Sequence, residues 1–273
     1  MLKTDKKHLQ LQENYVIINI NIIYSIFNGS LSSYMNIFSY RPVFRLFDWV
    51  SNPTELNAIA LLISCFSVAV MIFVVFPIHE CAHALSAKLL GDDTAERQGR
   101  ITLNPFAHID LLGSLLLLIA PIGWAKPVPV NISRCRKVKP KTAMALTALA
   151  GPLSNIFLAY IFVIISKLVI VTTGSVTETI YYLYIAVFLI VELNVFIAVF
   201  NLLPVPPLDG SKVLFAYLKP RYVFKIMQYQ PIITLVFLLL FLYENSPLRI
   251  LVSRISIGII NMLDFLSGFI SVG

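Results

Sequence analysis

Long runs of apolar residues constrain this chain more than any other feature. Ala58–Ile78 carries few polar groups, and Ala143–Val171 and Tyr181–Leu203 repeat the pattern. Each run, coiled as a helix at 1.5 Å per residue, can cross a hydrocarbon core about 30 Å thick. In lipid the backbone must satisfy its own hydrogen bonds, and isolated runs of this length do so as helices. Composition agrees: 58% of the residues are hydrophobic and 13% are charged, where a soluble domain carries roughly 25% charge. The expected fold is therefore an all-α polytopic membrane protein lying in a lipid bilayer.

Basic residues orient it. Lys126, Arg134, Arg136, Lys137, Lys139 and Lys141 form one cluster, and Lys212, Lys219, Arg221 and Lys225 form another. The positive-inside rule puts both in the cytoplasm, with the 172–179 loop outside. The net charge of +7 thus reads as loop orientation and contact with anionic lipid; no motif for nucleic acid accompanies it. Leu111–Trp124 is apolar but shorter than the roughly 20 residues a span needs, so it reads as a re-entrant element. Ile232–Tyr243 and Ile250–Ile270 are weaker spans. About five or six membrane segments are expected.

The N-terminal stretch Tyr15–Phe27 is interrupted by Asn19, Asn21 and Ser25 and lacks a small-residue cleavage site, so it does not read as a signal peptide. An interfacial helix, a strand and a poor span all stay open for it. The expected division is an unassigned region 1–57, a core 58–215 and C-terminal membrane segments 216–273. The three cysteines, Cys65, Cys81 and Cys135, show no paired spacing and imply no disulfide framework.

The first apolar run ends in Phe76-Pro77-Ile78-His79-Glu80-Cys81-Ala82-His83. Four residues apart on a helix, His79 and His83 share a face and can hold one zinc ion. Glu80 between them can take a proton from a water that zinc polarises. Cys81 reads as a small filler. A catalytic zinc needs a third protein ligand. Asp209 is the first choice, because it follows a span directly and its carboxylate needs a partner near hydrocarbon. Pro204, Pro206 and Pro207 break the helix before it, and Gly210 permits a tight turn. A plain turn aspartate is the competing reading. His108 and Asp110 also compete as ligands, with support of the ligands or helix capping the favoured role.

These residues sit among further blocks: Gly99-Arg100-Ile101-Thr102-Leu103-Asn104-Pro105, Gly123-Trp124-Ala125-Lys126-Pro127-Val128-Pro129-Val130-Asn131, Ala150-Gly151-Pro152-Leu153-Ser154-Asn155 and Asn201 to Gly210. In this order the chain resembles the site-2 protease family of intramembrane zinc metalloproteases, in its compact bacterial-type subgroup without an inserted PDZ domain. The likeness runs from about Phe76 to Leu214. It implies one zinc per chain held by His79, His83 and Asp209, with Glu80 as general base and acid. It implies a backbone- or oxyanion-binding role for Asn155, whose position also suits helix packing beside Gly151 and Ser154. It implies a transmembrane protein as substrate, a bacterial inner membrane and a centre near the cytoplasmic side. Residues 99–103 and 126–130 are expected to form edge strands of a small membrane-edge β-sheet that pairs with unwound substrate. Two rival readings remain at this level: a metallopeptidase acting on juxtamembrane or soluble peptides, and a silent homologue that binds or chaperones membrane proteins.

Overall fold

The computed structural model describes residues 46, 50–119, 123–173, 177–243 and 246–270. The Tyr15–Phe27 stretch lies outside them. Ten α-helices are described: α1 (Glu55–Val70), α2 (Phe76–Leu89), α3 (Thr94–Arg97), α4 (Leu111–Ile119), α5 (Pro140–Thr173), α6 (Glu178–Asn201), α7 (Asp209–Tyr217), α8 (Pro220–Gln228), α9 (Gln230–Leu242) and α10 (Pro247–Leu266). No strand is described, so the expected edge sheet is absent among the described residues. The 123–131 stretch is irregular there, because Pro127 and Pro129 remove every second ladder donor.

Pro77 has no N–H to give to the preceding turn. The chain absorbs this in a π-helical turn, Met71–Val75, that joins α1 to α2 without a gap. Ala58–Leu89 is then one candidate span, with Pro140–Val169 and Tyr182–Asn201 as the others. The α8–α9 pair, bent by 67°, counts as a fourth if it is one broken span. This is fewer than the five or six segments expected, for two physical reasons. At 9 and 13 residues, α4 and α9 are short, and α10 carries Arg249, Arg254 and Asp264.

The innermost helix is α6, with 61% of its span buried against 33% for the other two. Ala159 and Val163 of α5 pack with Val191, Val195, Phe196 and Val199 of α6, Phe241 of α9, and Val252 and Leu263 of α10. Phe196, Phe200, Phe237 and Phe241 form an aromatic cluster with centroids 4.9–6.0 Å apart. Leu62, Phe66, Phe157 and Leu239 are at least half exposed and form part of the surface a bilayer would cover. Near the ends of both helices, buried Lys167 of α5 is 2.8 Å from partly exposed Asp264 of α10, and also donates to the Asp264 carbonyl.

The re-entrant reading of 111–124 fits the geometry. The Lys126 N–H donates to the His108 carbonyl across 2.7 Å, so the segment's two ends meet. Between them, a Cβ on Gly113 would lie 2.1 Å from the Trp124 carbonyl oxygen, so α4 and the returning chain touch at a glycine. Outside it, the polar loops knit together. Buried Asp92 accepts from the Asn131 and Thr94 N–H groups, Asp93 pairs with Arg97 and Arg134, and Arg100 donates to the Lys126 carbonyl.

Candidate metal centre

Three helices build the centre. His79 and His83 lie one turn apart on α2 and are both buried. Asp209 opens α7 and is also buried. The chain reaches it through a turn so close that a Cβ on Gly210 would lie 2.1 Å from the Leu202 carbonyl oxygen. The third helix, α5, supplies the wall at Gly151.

The donor atoms converge. His83 Nε2 is 3.1 Å from His79 Nε2 and 3.1 Å from Asp209 Oδ2, and His79 Nε2 is 3.3 Å from the same oxygen. Tetrahedral zinc with bonds of about 2.0–2.1 Å sets its ligand atoms about 3.3–3.4 Å apart. The observed triangle is close to that. His83 Nδ1 lies 2.6 Å from the Thr147 carbonyl oxygen. A carbonyl only accepts, so Nδ1 carries the proton and Nε2 keeps its lone pair for the centre.

Gly151 sets how closely α5 approaches the two rings. A Cβ there would lie 2.3 Å from His83 Nε2 and 2.6 Å from His79 Nε2. Only a glycine lets α5 pack this closely against both imidazoles. Among the described residues, His79, His83 and Asp209 are the one group of three or more such side chains able to share a metal ion. Two imidazoles and a carboxylate suit zinc.

Asp209 is held ready for that role. Burial pushes its carboxyl up, and the Lys212 ammonium beside it pulls it down. Lys212 reaches the outer oxygen, Oδ1, at 2.8 Å. Oδ2 is left to the centre.

The remaining residues fall as follows. Glu80 is half-buried, and its Oε2 accepts the Val128 N–H across 2.9 Å. Asn155 is fully buried one turn beyond Gly151, and neither amide atom has a hydrogen-bond partner. His108 stands apart from the centre, its Nε2 at 2.9 Å from the Thr102 carbonyl oxygen. Asp110 caps α4 through the Gly113 N–H. Asp110 thus has the capping role favoured from sequence, while His108 contacts none of the three donor residues. Cys81 is outside the donor group. Sequence reasoning missed Thr147, Lys212, the Val128 contact and the reason for Gly151. Only Gly151 had a local signal, as a glycine followed by a proline inside an apolar helix.

The comparisons with known proteins decide the family. The profile of Peptidase family M50 matches residues 66–243. This chain belongs to that family. The M50, or site-2 protease, membership makes it a membrane zinc metalloprotease with Zn2+ as its metal. Its relatives include YwhC of Bacillus subtilis (strain 168), whose name proposes a zinc metalloprotease. It is 39% identical over 181 residues, 63% of this chain and 78% of the relative. MJ0611 of Methanocaldococcus jannaschii, named in the same way, is 31% identical over 165 residues, 58% of this chain and 78% of the relative. Rip2 of Mycobacterium tuberculosis (strain ATCC 25618 / H37Rv), also so named, is 31% identical over 148 residues, 53% of this chain and 54% of the relative. No solved structure matches the M50 chain significantly.

Proposed function

We propose that this protein hydrolyses peptide bonds within or next to transmembrane helices of other membrane proteins, as a step in regulated intramembrane proteolysis. The observation that carries this reading is the seat of the donor triangle. His79 and His83 lie on one candidate span, Ala58–Leu89, and pack against Gly151 of another, Pro140–Val169. A centre between two spans is suited to a chain that arrives through the bilayer.

In this reading His79, His83 and Asp209 hold the zinc. When bound, zinc polarises the scissile carbonyl and makes a water nucleophilic at neutral pH. Glu80 takes the proton of the attacking water and returns it to the leaving amine. Asn155 offers its buried amide to substrate backbone or to the developing oxyanion. The basic clusters favour a centre on the cytoplasmic side, in this reading of a bacterial inner membrane. The core is 58–215, with 1–57 and 216–273 as flanking regions.

Detergent-purified wild type and Glu80→Gln, each tested for zinc and for cleavage of a panel of single-span membrane proteins, check this. Stoichiometric zinc in both, with cleavage by wild type alone, is expected. Equal cleavage of soluble peptides would favour a juxtamembrane peptidase. Full cellular function with Glu80→Gln would favour a silent binding protein.

A further inference from the structure

Lys126-Pro127-Val128-Pro129-Val130 has an unusual supply of backbone donors. Pro127 and Pro129 have no N–H, and each forces the residue before it into an extended conformation. The donors left are those of Lys126, Val128 and Val130, two residues apart, as along one edge of an extended chain. Their partners differ. Lys126 N–H is spent on the His108 carbonyl, which anchors the segment, and Arg100 holds the Lys126 carbonyl at 2.6 Å. Val130 N–H has no partner among the described residues. Val128 N–H is given to Glu80 across 2.9 Å.

That last bond occupies the side chain next to His79, at the centre itself. An amide there is the backbone donor best placed to receive a carbonyl of any chain drawn to the centre. Such a chain has unwound from a helix, and in a membrane its freed carbonyls need donors.

We propose that the Val128 N–H has two partners in turn. In the resting protein it is parked on Glu80. When an unwound substrate segment lies along residues 126–130, it passes to a substrate carbonyl and releases the Glu80 carboxylate. The inference rests on the proteolytic reading above and adds a register and a release to it. Val128 is a positioning residue, acting through its main chain. One hydrogen bond is exchanged for another, so the exchange costs little, while a substrate without an accepting carbonyl at that register leaves Glu80 held.

The test uses full-length protein in detergent and two inactive variants. Glu80→Gln keeps an oxygen that can accept from Val128; Glu80→Ala has none. The first readout is hydrogen–deuterium exchange at Val128, the sole backbone amide in the fragment 127–129. Exchange is expected to be slow in wild type and Glu80→Gln, and about tenfold faster in Glu80→Ala. The second is binding of a labelled single-span peptide that wild type cleaves. Glu80→Ala, having no parked bond to break, is expected to bind it about 2–10-fold more tightly than Glu80→Gln. Val128→Ala keeps the N–H and is expected to keep that difference; Val128→Pro removes the N–H and is expected to erase it.

Equal exchange in all three proteins overturns the parked bond, and equal affinities of the two Glu80 variants overturn the transfer. A wild type with no zinc and no cleavage counts instead against the proteolytic reading, and the exchange experiment still reads the resting contact.

Discussion

Gly151→Ala tests the centre most sharply, because it adds one carbon at a known place. The new Cβ would lie 2.3 Å from His83 Nε2 and 2.6 Å from His79 Nε2 and Cε1. Ordinary contact begins near 3.4 Å. The His83 ring must therefore retreat by 3.4 − 2.3, about 1.1 Å, or α5 must move away from α2 by as much. Metal–ligand distances tolerate only about ±0.2 Å. Disturbing a ligand's supporting partners costs about 10–100-fold in metal affinity, and displacing both rings at once costs at least as much. Overpacking itself lowers stability by about 1–3 kcal/mol. The expected outcome is a folded protein, somewhat less stable, that has lost bound zinc and cleavage. Elemental analysis of purified protein reads the metal, and thermal unfolding in detergent reads the fold. Stoichiometric zinc with cleavage within threefold of wild type would refute the reading that Gly151 sets the positions of the two rings.

Asn155→Leu removes an amide that has no partner in the resting protein. Thermal stability is expected to hold or rise, by up to about 1–3 kcal/mol, while kcat/KM falls; a fall in both would make Asn155 a packing residue only. Asp92→Ala strips the acceptor from the Asn131 and Thr94 N–H groups. A loss of about 1.5–3 kcal/mol is expected, with faster proteolytic nicking of the 90–137 loops. Asp264→Leu leaves Lys167 without its carboxylate and is expected to cost about 2–4 kcal/mol, less than a fully buried pair because Asp264 is 31% exposed. Lys167→Met added to it should recover most of the loss in unfolding assays.

Much of this was legible because its signals are local. His79 and His83 share a helix face by spacing alone. The three long spans announce themselves by length, and the meeting of His108 and Lys126 follows from a run too short to cross. Asp209 was the first choice, since a carboxylate after a span needs a partner, but His108 and Asp110 stayed in competition until the fold brought Asp209 to the two rings. What escaped depends on where separate segments meet. Gly151 read as a small packing residue, because nothing in α5 tells that α2 sets two imidazoles against it. The Val128 contact joins residues 48 apart. The expected edge sheet did not form among the described residues, since alternate prolines make a chain extended without giving it a ladder. The span count fell short because α10 has the length of a span but three charges.

The Lys167–Asp264 pair also bears on how the protein is made. The two residues are 97 positions apart. During synthesis α5 therefore reaches the membrane well before α10 exists. Lys167 lies two residues from the end of the Pro140–Val169 span, where a lysine can snorkel to the interface. Until Asp264 arrives, its ammonium can stay at the membrane surface, so insertion of α5 does not wait for α10. Once α10 is in place, its carboxylate draws the ammonium inward against the bundle, so packing at this end of α5 is completed after insertion.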